Sequence, residues 1–369
     1  MNRRPSSLLP REHRLFSGEL RGLGPRLLRA VLTAAEPVYR GVMLLRNRLY
    51  DRRILSVVRL DRPVVSVGNL SAGGTGKTPV VLWLAQRLLE MGLRAAVLLR
   101  GYRARPGGVS DEEALYLDRL GEGFIFANPD RVASGRAALA RNPSIDVLLL
   151  DDGFQHRRLH RDLDIVLIDA TNPFGYGHVH PRGLLREPLS GLRRAHAVVL
   201  TRADQPDPAE VLRVESRIRT ITAAPIFRAR HVISGLLDPD GNRREVDSLR
   251  GQSCIAVAAI ANPASLRAQL LQLGARLTGE LWFPDHHDYD QEDLSRITEA
   301  GSEDGPIVVT EKDWVKLRRL DLGALHGRLL RLELTIAFEA DGAARLAELA
   351  GGAIRSASRP PCGTTGPQN

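Results

Sequence analysis

The architecture follows from Val64-Val65-Ser66-Val67-Gly68-Asn69-Leu70-Ser71-Ala72-Gly73-Gly74-Thr75-Gly76-Lys77-Thr78-Pro79. The β-branched run at 64–67 reads as a buried strand, and Val80, Val81, Leu84 and Leu88 recur at helical spacing behind it. A strand, a glycine-rich turn, Lys-Thr and a helix form the context of a phosphate-binding loop. Glycines let successive backbone N–H groups turn inward around phosphate oxygens, and the helix N-terminus adds the positive end of its dipole. The candidate nucleotide-binding residues are therefore Ser71, Ala72, Gly73, Gly74, Thr75, Gly76, Lys77 and Thr78. Lys77 suits the β- and γ-phosphates, and the Thr78 hydroxyl suits Mg2+. Ser71 stands where the pattern has its first glycine, so a glycine-rich structural turn is the competing reading.

Further along, Val147-Leu148-Leu149-Leu150 ends in Asp151-Asp152-Gly153, as a strand that delivers carboxylates to a metal does. Asp151 and Asp152 are accordingly metal candidates, weighed against solvated strand-end acids. Residues 165–169 repeat the arrangement with Asp169. Apolar runs at 95–99, 124–127, 147–150, 165–168 and 198–201 alternate with helical patterns. That alternation predicts an α/β fold, a P-loop NTPase-like and mainly parallel sheet with helices on both faces. A turn-rich stretch around Asp238-Pro239-Asp240-Gly241 predicts a hairpin linker. Runs at 255–259, 277–283, 307–310 and 329–338 predict a smaller C-terminal α/β lobe. The expected organisation is an arm over 1–53, a nucleotide-binding domain over 54–230, a linker over 231–251, the second lobe over 252–350 and a disordered Gly/Pro/Ser/Thr-rich tail over 351–369.

The 369 residues are 43% hydrophobic and 26% charged, which excludes global disorder, collagen and coiled coil. Cys254 and Cys362 form no CxxC pair and no disulfide framework. The net charge is +9, yet residues 1–53 alone hold 12 Arg against 4 acids, so the remainder is close to neutral. A nucleic-acid binder basic throughout is not indicated. Only Lys77, Lys312 and Lys316 are lysines among 52 basic residues, which marks them as places where a compact ammonium matters.

In the arm, Leu28, Val31, Ala35, Val38, Val42, Leu45 and Leu49 fall on one helical face, with Arg26, Arg29, Arg40 and Arg48 on the other. Pro37 is expected to kink this element or to start a second helix. The pattern fits a helix lying in a membrane interface or one packed on its own domain, and the concentrated charge favours an anionic lipid surface. No uncharged apolar run reaches the roughly 18 residues of a membrane span. Two later stretches carry less: Asp285-His286-His287-Asp288 reads first as a polar surface loop, with a proton shuttle or a metal ligand as the alternatives, and Thr310-Glu311-Lys312-Asp313 as a capping box. The scattered His156, His160, His178 and His180 do not suggest zinc.

Taken in order, the segments Val67-Gly68-Asn69-Leu70-Ser71 through Lys77-Thr78-Pro79, Arg100-Gly101-Tyr102, Ser110-Asp111-Glu112, Asp151-Asp152-Gly153-Phe154-Gln155-His156, Arg186-Glu187, Asp285-His286-His287 and Thr310-Glu311-Lys312-Asp313 resemble the tetraacyldisaccharide 4′-kinase (lipid A 4′-kinase) family. Ser71 in place of the first glycine is usual there. The resemblance runs from the arm to about residue 340. It implies transfer of the γ-phosphate of ATP, with Mg2+, to the 4′-hydroxyl of a tetraacyldisaccharide 1-phosphate, giving lipid IVA. It also implies a peripheral enzyme on the cytoplasmic face of the bacterial inner membrane; the charge distribution indicates no nucleic-acid partner, and no obligate protein partner is evident. Carried over by motif, Asp111 and His286 become a catalytic pair acting with Lys77, while Arg100, Tyr102, Gln155, His156, Arg186 and Glu187 become substrate candidates. The chain departs from the family pattern at Arg103, at Ala258-Ala259-Ile260-Ala261 and at His180-Pro181-Arg182-Gly183-Leu184-Leu185. A membrane-associated P-loop ATPase switch, or a kinase for a soluble acceptor, is the alternative.

Overall fold

The computed structural model describes residues 11–101, 109–260, 263–285, 287–300 and 305–358. The chain begins with α1 (Arg11–Phe16) and α2 (Leu23–Asp51), then β1 (Val64–Asn69), α3 (Lys77–Glu90), β2 (Ala95–Leu99), α4 (Asp111–Leu120), β3 (Ile125–Ala127) and α5 (Arg131–Arg141). It continues with β4 (Val147–Asp151), β5 (Leu163–Asp169), β6 (Ala197–Thr201), α6 (Pro208–Arg219), β7 (Ile226–Leu237) and β8 (Arg243–Arg244). The last elements are β9 (Ser253–Ala258), α7 (Pro263–Gln272), β10 (Arg276–Trp282), α8 (Gln291–Glu299), β11 (Ile307–Thr310), α9 (Glu311–Leu317), β12 (Leu329–Phe338) and α10 (Gly342–Ser358). Described residues of Ala34–Arg103, Tyr116–Arg230 and Ala337–Asn369 form one compact unit; those of Met1–Thr33, Ala104–Leu115 and His231–Ile336 form the other.

In the first unit the strands run β3-β2-β4-β1-β5-β6-β7, each parallel to its neighbour. Every residue of β1 is buried, which explains its unbroken rather than alternating apolar character. One core cluster joins Val64, Leu98, Leu148 and Leu150 to Val132 and Ala138 of α5. Another joins Val166, Ile168, Val198 and Leu200 to Val211, Val214 and Ile218 of α6. The carboxyl ends of β1, β4, β5 and β6 thus deliver Asn69, Asp151, Asp169 and Thr201 to one edge, where open α/β sheets bind ligands.

In the second unit β10-β9-β11-β12 are likewise parallel. Alternation along β9 turns Ile255 and Val257 toward α8 and α9, and Cys254, Ala256 and Ala258 toward α7. The expected hairpin is present: β7 and β8 are antiparallel, and Asp238 Oδ1 accepts the backbone N–H groups of Asp240 and Asn242.

Three features differ from the sequence expectation. Pro37 neither breaks nor divides α2, because Pro37 and Thr33 lie on its exposed side, where the lost backbone bond faces water. The C-terminal glycines do not mark the start of an unstructured tail, since α10 continues through Gly351 and Gly352 to Ser358. A Cβ at Gly351 would lie 2.5 Å from the Met91 methyl, the free end of a flexible and exposed side chain that can move aside. Finally, Asp111 groups with the second unit rather than with the phosphate-loop unit.

Gly68 fixes the spacing between β1 and the segment after β4, because a Cβ there would sit 2.7 Å from both the backbone N and the Cβ of Phe154. Phe154 is fully buried. Gly68→Ala should therefore destabilise the fold by about 1–3 kcal/mol, measured as a lowered urea midpoint, through overpacking.

Candidate functional site

Gly73 and Gly76 adopt φ values of 112° and 82°, which side-chain-bearing residues rarely occupy, so the loop's course depends on them. The loop is tied down from behind. Asn69, fully buried, donates through Nδ2 to the Ser71 carbonyl (2.7 Å) and to Thr75 Oγ1 (2.9 Å). Thr201 Oγ1 at the end of β6 donates to the Thr75 carbonyl at 2.9 Å. The Ala72 N–H donates to the Leu184 carbonyl at 2.7 Å. Arg202 donates to the Gly74 carbonyl at 3.0 Å and pairs with Asp169.

In front of the loop stands Asp152. Its φ is +54°, uncommon outside glycine and a type of backbone strain that clusters at functional sites. Arg186 grips its carboxylate with two bonds of 2.8 and 2.7 Å, and Lys77 Nζ lies 3.4 Å away. Burial pushes the Asp152 carboxyl upward, but Lys77 and Arg186 outweigh it and hold the group below the ordinary carboxylate range. Asp151 is buried at the end of β4 and accepts from the Tyr116 hydroxyl at 2.9 Å. Thr78 sits in the first turn of α3. These donors are all oxygens, the set a hard cation such as Mg2+ takes.

Behind the loop, Gln155 Nε2 donates to the Asn69 carbonyl (2.9 Å) and to Glu187 Oε1 (3.0 Å). Glu187, 1% exposed, also accepts from Arg194 and from Asn47 Nδ2 on α2. Helix α2 engages this unit through its polar side. Tyr39 Oη donates to the Arg186 carbonyl (2.8 Å), Arg46 to the Gln155 carbonyl (2.7 Å), and Glu36 meets His178 Nδ1 at 2.7 Å. Its apolar stripe is left outward, with Val31 65%, Val38 71% and Val42 59% exposed. No helix among the described residues is long and apolar enough to cross a membrane.

The second unit holds a separate charged cluster. Asp313 is completely buried and accepts from the Ala259 N–H (3.0 Å), Tyr289 Oη (3.0 Å) and Thr310 Oγ1 (2.5 Å). Burial raises its carboxyl above the ordinary range. Asp111 opens α4, and its Oδ2 lies 3.0 Å from Lys316 Nζ. His287 Nε2 meets Asp293 Oδ2 at 2.6 Å.

The structure therefore brings Lys77, Asp152 and Arg186 together, and sets Gln155 and Glu187 beneath the loop. Arg100 is exposed at the end of β2. Tyr102 and His286 lie outside the described residues. Sequence reasoning assigned no role to Tyr116 or Tyr39, whose partners are distant in the chain, nor to Asn69, whose side chain bonds within the loop itself. For Lys316 there was a signal, its rarity as a lysine.

His156 is half-buried with Nε2 enclosed and unbonded among the described residues, and burial, aided by Arg131, lowers its pKa to about 4. Below about pH 6.5 the unfolded chain takes up a proton that the folded chain refuses until about pH 4, so stability falls as pH drops through that window. His160 and His180 are shifted in the same direction. The urea midpoint should decline from pH 7 to pH 5, and His156→Gln should flatten that decline.

The family described as Tetraacyldisaccharide-1-P 4′-kinase matches residues 28–350. A tetraacyldisaccharide 4′-kinase of Anaeromyxobacter dehalogenans (strain 2CP-1) is 40% identical over 321 residues, covering 81% of this chain and 84% of its own. One from Pelobacter propionicus is 39% identical over 354 residues, covering 90% and 95%. A crystal structure of LpxK from Aquifex aeolicus in complex with ATP is 32% identical with a TM-score of 0.71, covering 89% of this chain and 99% of its own. With a matching family over most of its length and relatives near 40% identity across four-fifths of it, the chain belongs to the tetraacyldisaccharide 4′-kinase family.

Proposed function

We propose that this protein transfers the γ-phosphate of ATP to the 4′-hydroxyl of a tetraacyldisaccharide 1-phosphate, giving lipid IVA. The observation that carries this reading is the phosphate loop itself: glycine-dependent, braced by Asn69 and Thr201, with Lys77 beside Asp152 and Arg186 at the strand ends. Phosphoryl transfer needs little covalent chemistry from a protein and much positioning and charge stabilisation. Loop N–H groups and Lys77 bind and orient the triphosphate. Arg186 and Lys77 hold the Asp152 carboxylate ionised. Thr78 with Asp151 and Asp152 would hold Mg2+, which when bound neutralises charge on the phosphate oxygens. Asp111 accepts the proton of the acceptor hydroxyl, and His286 tunes Asp111. Arg100, Tyr102, Gln155, His156, Arg186 and Glu187 contribute to substrate binding, Gln155 and Glu187 by holding the loop's base.

The exposed stripe of α2 supports work at an anionic lipid surface, where an acylated acceptor resides, and we place the enzyme on the cytoplasmic face of the inner membrane. Residues 1–53 then act as the membrane arm, 54–230 as the core of the nucleotide domain and 252–336 as the second lobe after the linker 231–251, while residues 337–350, expected in that lobe, group with the nucleotide unit instead.

Incubation with labelled ATP, Mg2+ and an acylated disaccharide 1-phosphate in detergent should give a labelled lipid. Hydrolysis of ATP with no labelled lipid would instead favour an ATPase switch. Lys77→Ala should reduce the rate roughly 10²- to 10³-fold through loss of one stabilising donor. Asp111→Ala and His286→Ala should be non-additive, their double variant barely slower than either alone; independent, additive losses would separate the two residues.

A further inference from the structure

Lys316 is one of three lysines in a chain that uses arginine at every other basic position. It lies in the last turn of α9 with a side chain only 5% exposed. Its ammonium donates to the His287 carbonyl at 2.8 Å and reaches Asp111 Oδ2 at 3.0 Å. One turn earlier on the same helix is the fully buried Asp313, on which Lys316 acts electrostatically. A buried ammonium persists only when paired and hydrogen-bonded, and both conditions are met. A solvated surface pair would not call for this burial, nor for the compact head group in place of the guanidinium used elsewhere.

We infer that Lys316 is the positioning residue for Asp111: it fixes one carboxylate oxygen at the start of α4 and keeps the group ionised, ready to accept the acceptor's hydroxyl proton. The inference rests on the reading of Asp111 as the base. A base must be unprotonated before it can act, and an adjacent buried cation favours that form. The titratable groups around the pair are Glu112 and Glu113 on α4, Asp313 on α9, His287 and Tyr289 on the preceding loop, and Asp293 on α8. Lys316 is the permanent cation in direct contact with the Asp111 carboxylate.

Lys316→Met, of similar length without charge, and Lys316→Gln, which keeps a donor for the His287 carbonyl, test this in the full-length enzyme. Both should lower kcat at least 10-fold at neutral pH and leave KM for ATP unchanged. The acid limb of the kcat–pH profile should move up by about one pH unit or more, so that much of the rate returns at high pH. In an Asp111→Asn background, Lys316→Met should cause no further loss. A kcat loss equal at every pH, an altered KM for ATP, or loss of cooperative melting in both variants would overturn the inference, since a purely structural ion pair predicts those outcomes. Asp111→Asn measured alone separates the two failures. If it is fully active, the base reading falls; if it is inactive while the Lys316 loss is independent of pH, only the inference about Lys316 falls.

Discussion

The organisation of the phosphate-loop unit depends on how one carboxylate is held. Asp152 sits on a left-handed backbone between Lys77 and Arg186. Burial pushes this carboxyl upward, and the charges and hydrogen bonds of Lys77 and Arg186 together outweigh it. Arg186 in turn is positioned because its carbonyl accepts from Tyr39 on α2 and its N–H donates to the Leu70 carbonyl. The strained turn, the loop lysine and the N-terminal helix are therefore parts of one hydrogen-bonded assembly.

Beneath it, Glu187 gathers a second set of partners in the same way. Its buried carboxylate gathers Arg194, Asn47 and Gln155, and Gln155 carries the connection to the Asn69 carbonyl. Asn69 then reaches Ser71 and Thr75. A loop able to wrap a triphosphate is intrinsically mobile because of its glycines, and this chain of bonds offsets the conformational freedom that they bring.

Much of the architecture was readable from pattern. The β-branched run at 64–67, the acidic strand end at 151–152 and the alternation of apolar runs with helical periodicity locate β1, β4 and most of the remaining strands within a few residues. Strand β7 was less visible, since Ile226-Phe227-Arg228-Ala229-Arg230 mixes arginine into its alternation. What periodicity cannot encode is the identity of distant partners: Tyr116 with Asp151, Tyr39 with Arg186 and Lys316 with Asp111 are set by tertiary packing alone. It also cannot say which side of an amphipathic helix docks. In α2 the apolar stripe allows either a lipid-facing or a core-facing flank, and it is Glu36, Tyr39, Arg46 and Asn47 that make the attachment. The end of α10 is a second such case, since Gly351 and Gly352 read as a tail but lie within a helix that runs to Ser358.

The inverted attachment of α2 uncouples two kinds of selection on one element. Its hydrogen-bonding flank answers to the integrity of the nucleotide unit, and a change there is felt by Arg186, Gln155 and Glu187. Its greasy flank makes no such attachment among the described residues, so Val38 and Val42 answer to the surface they meet rather than to the interior of the fold.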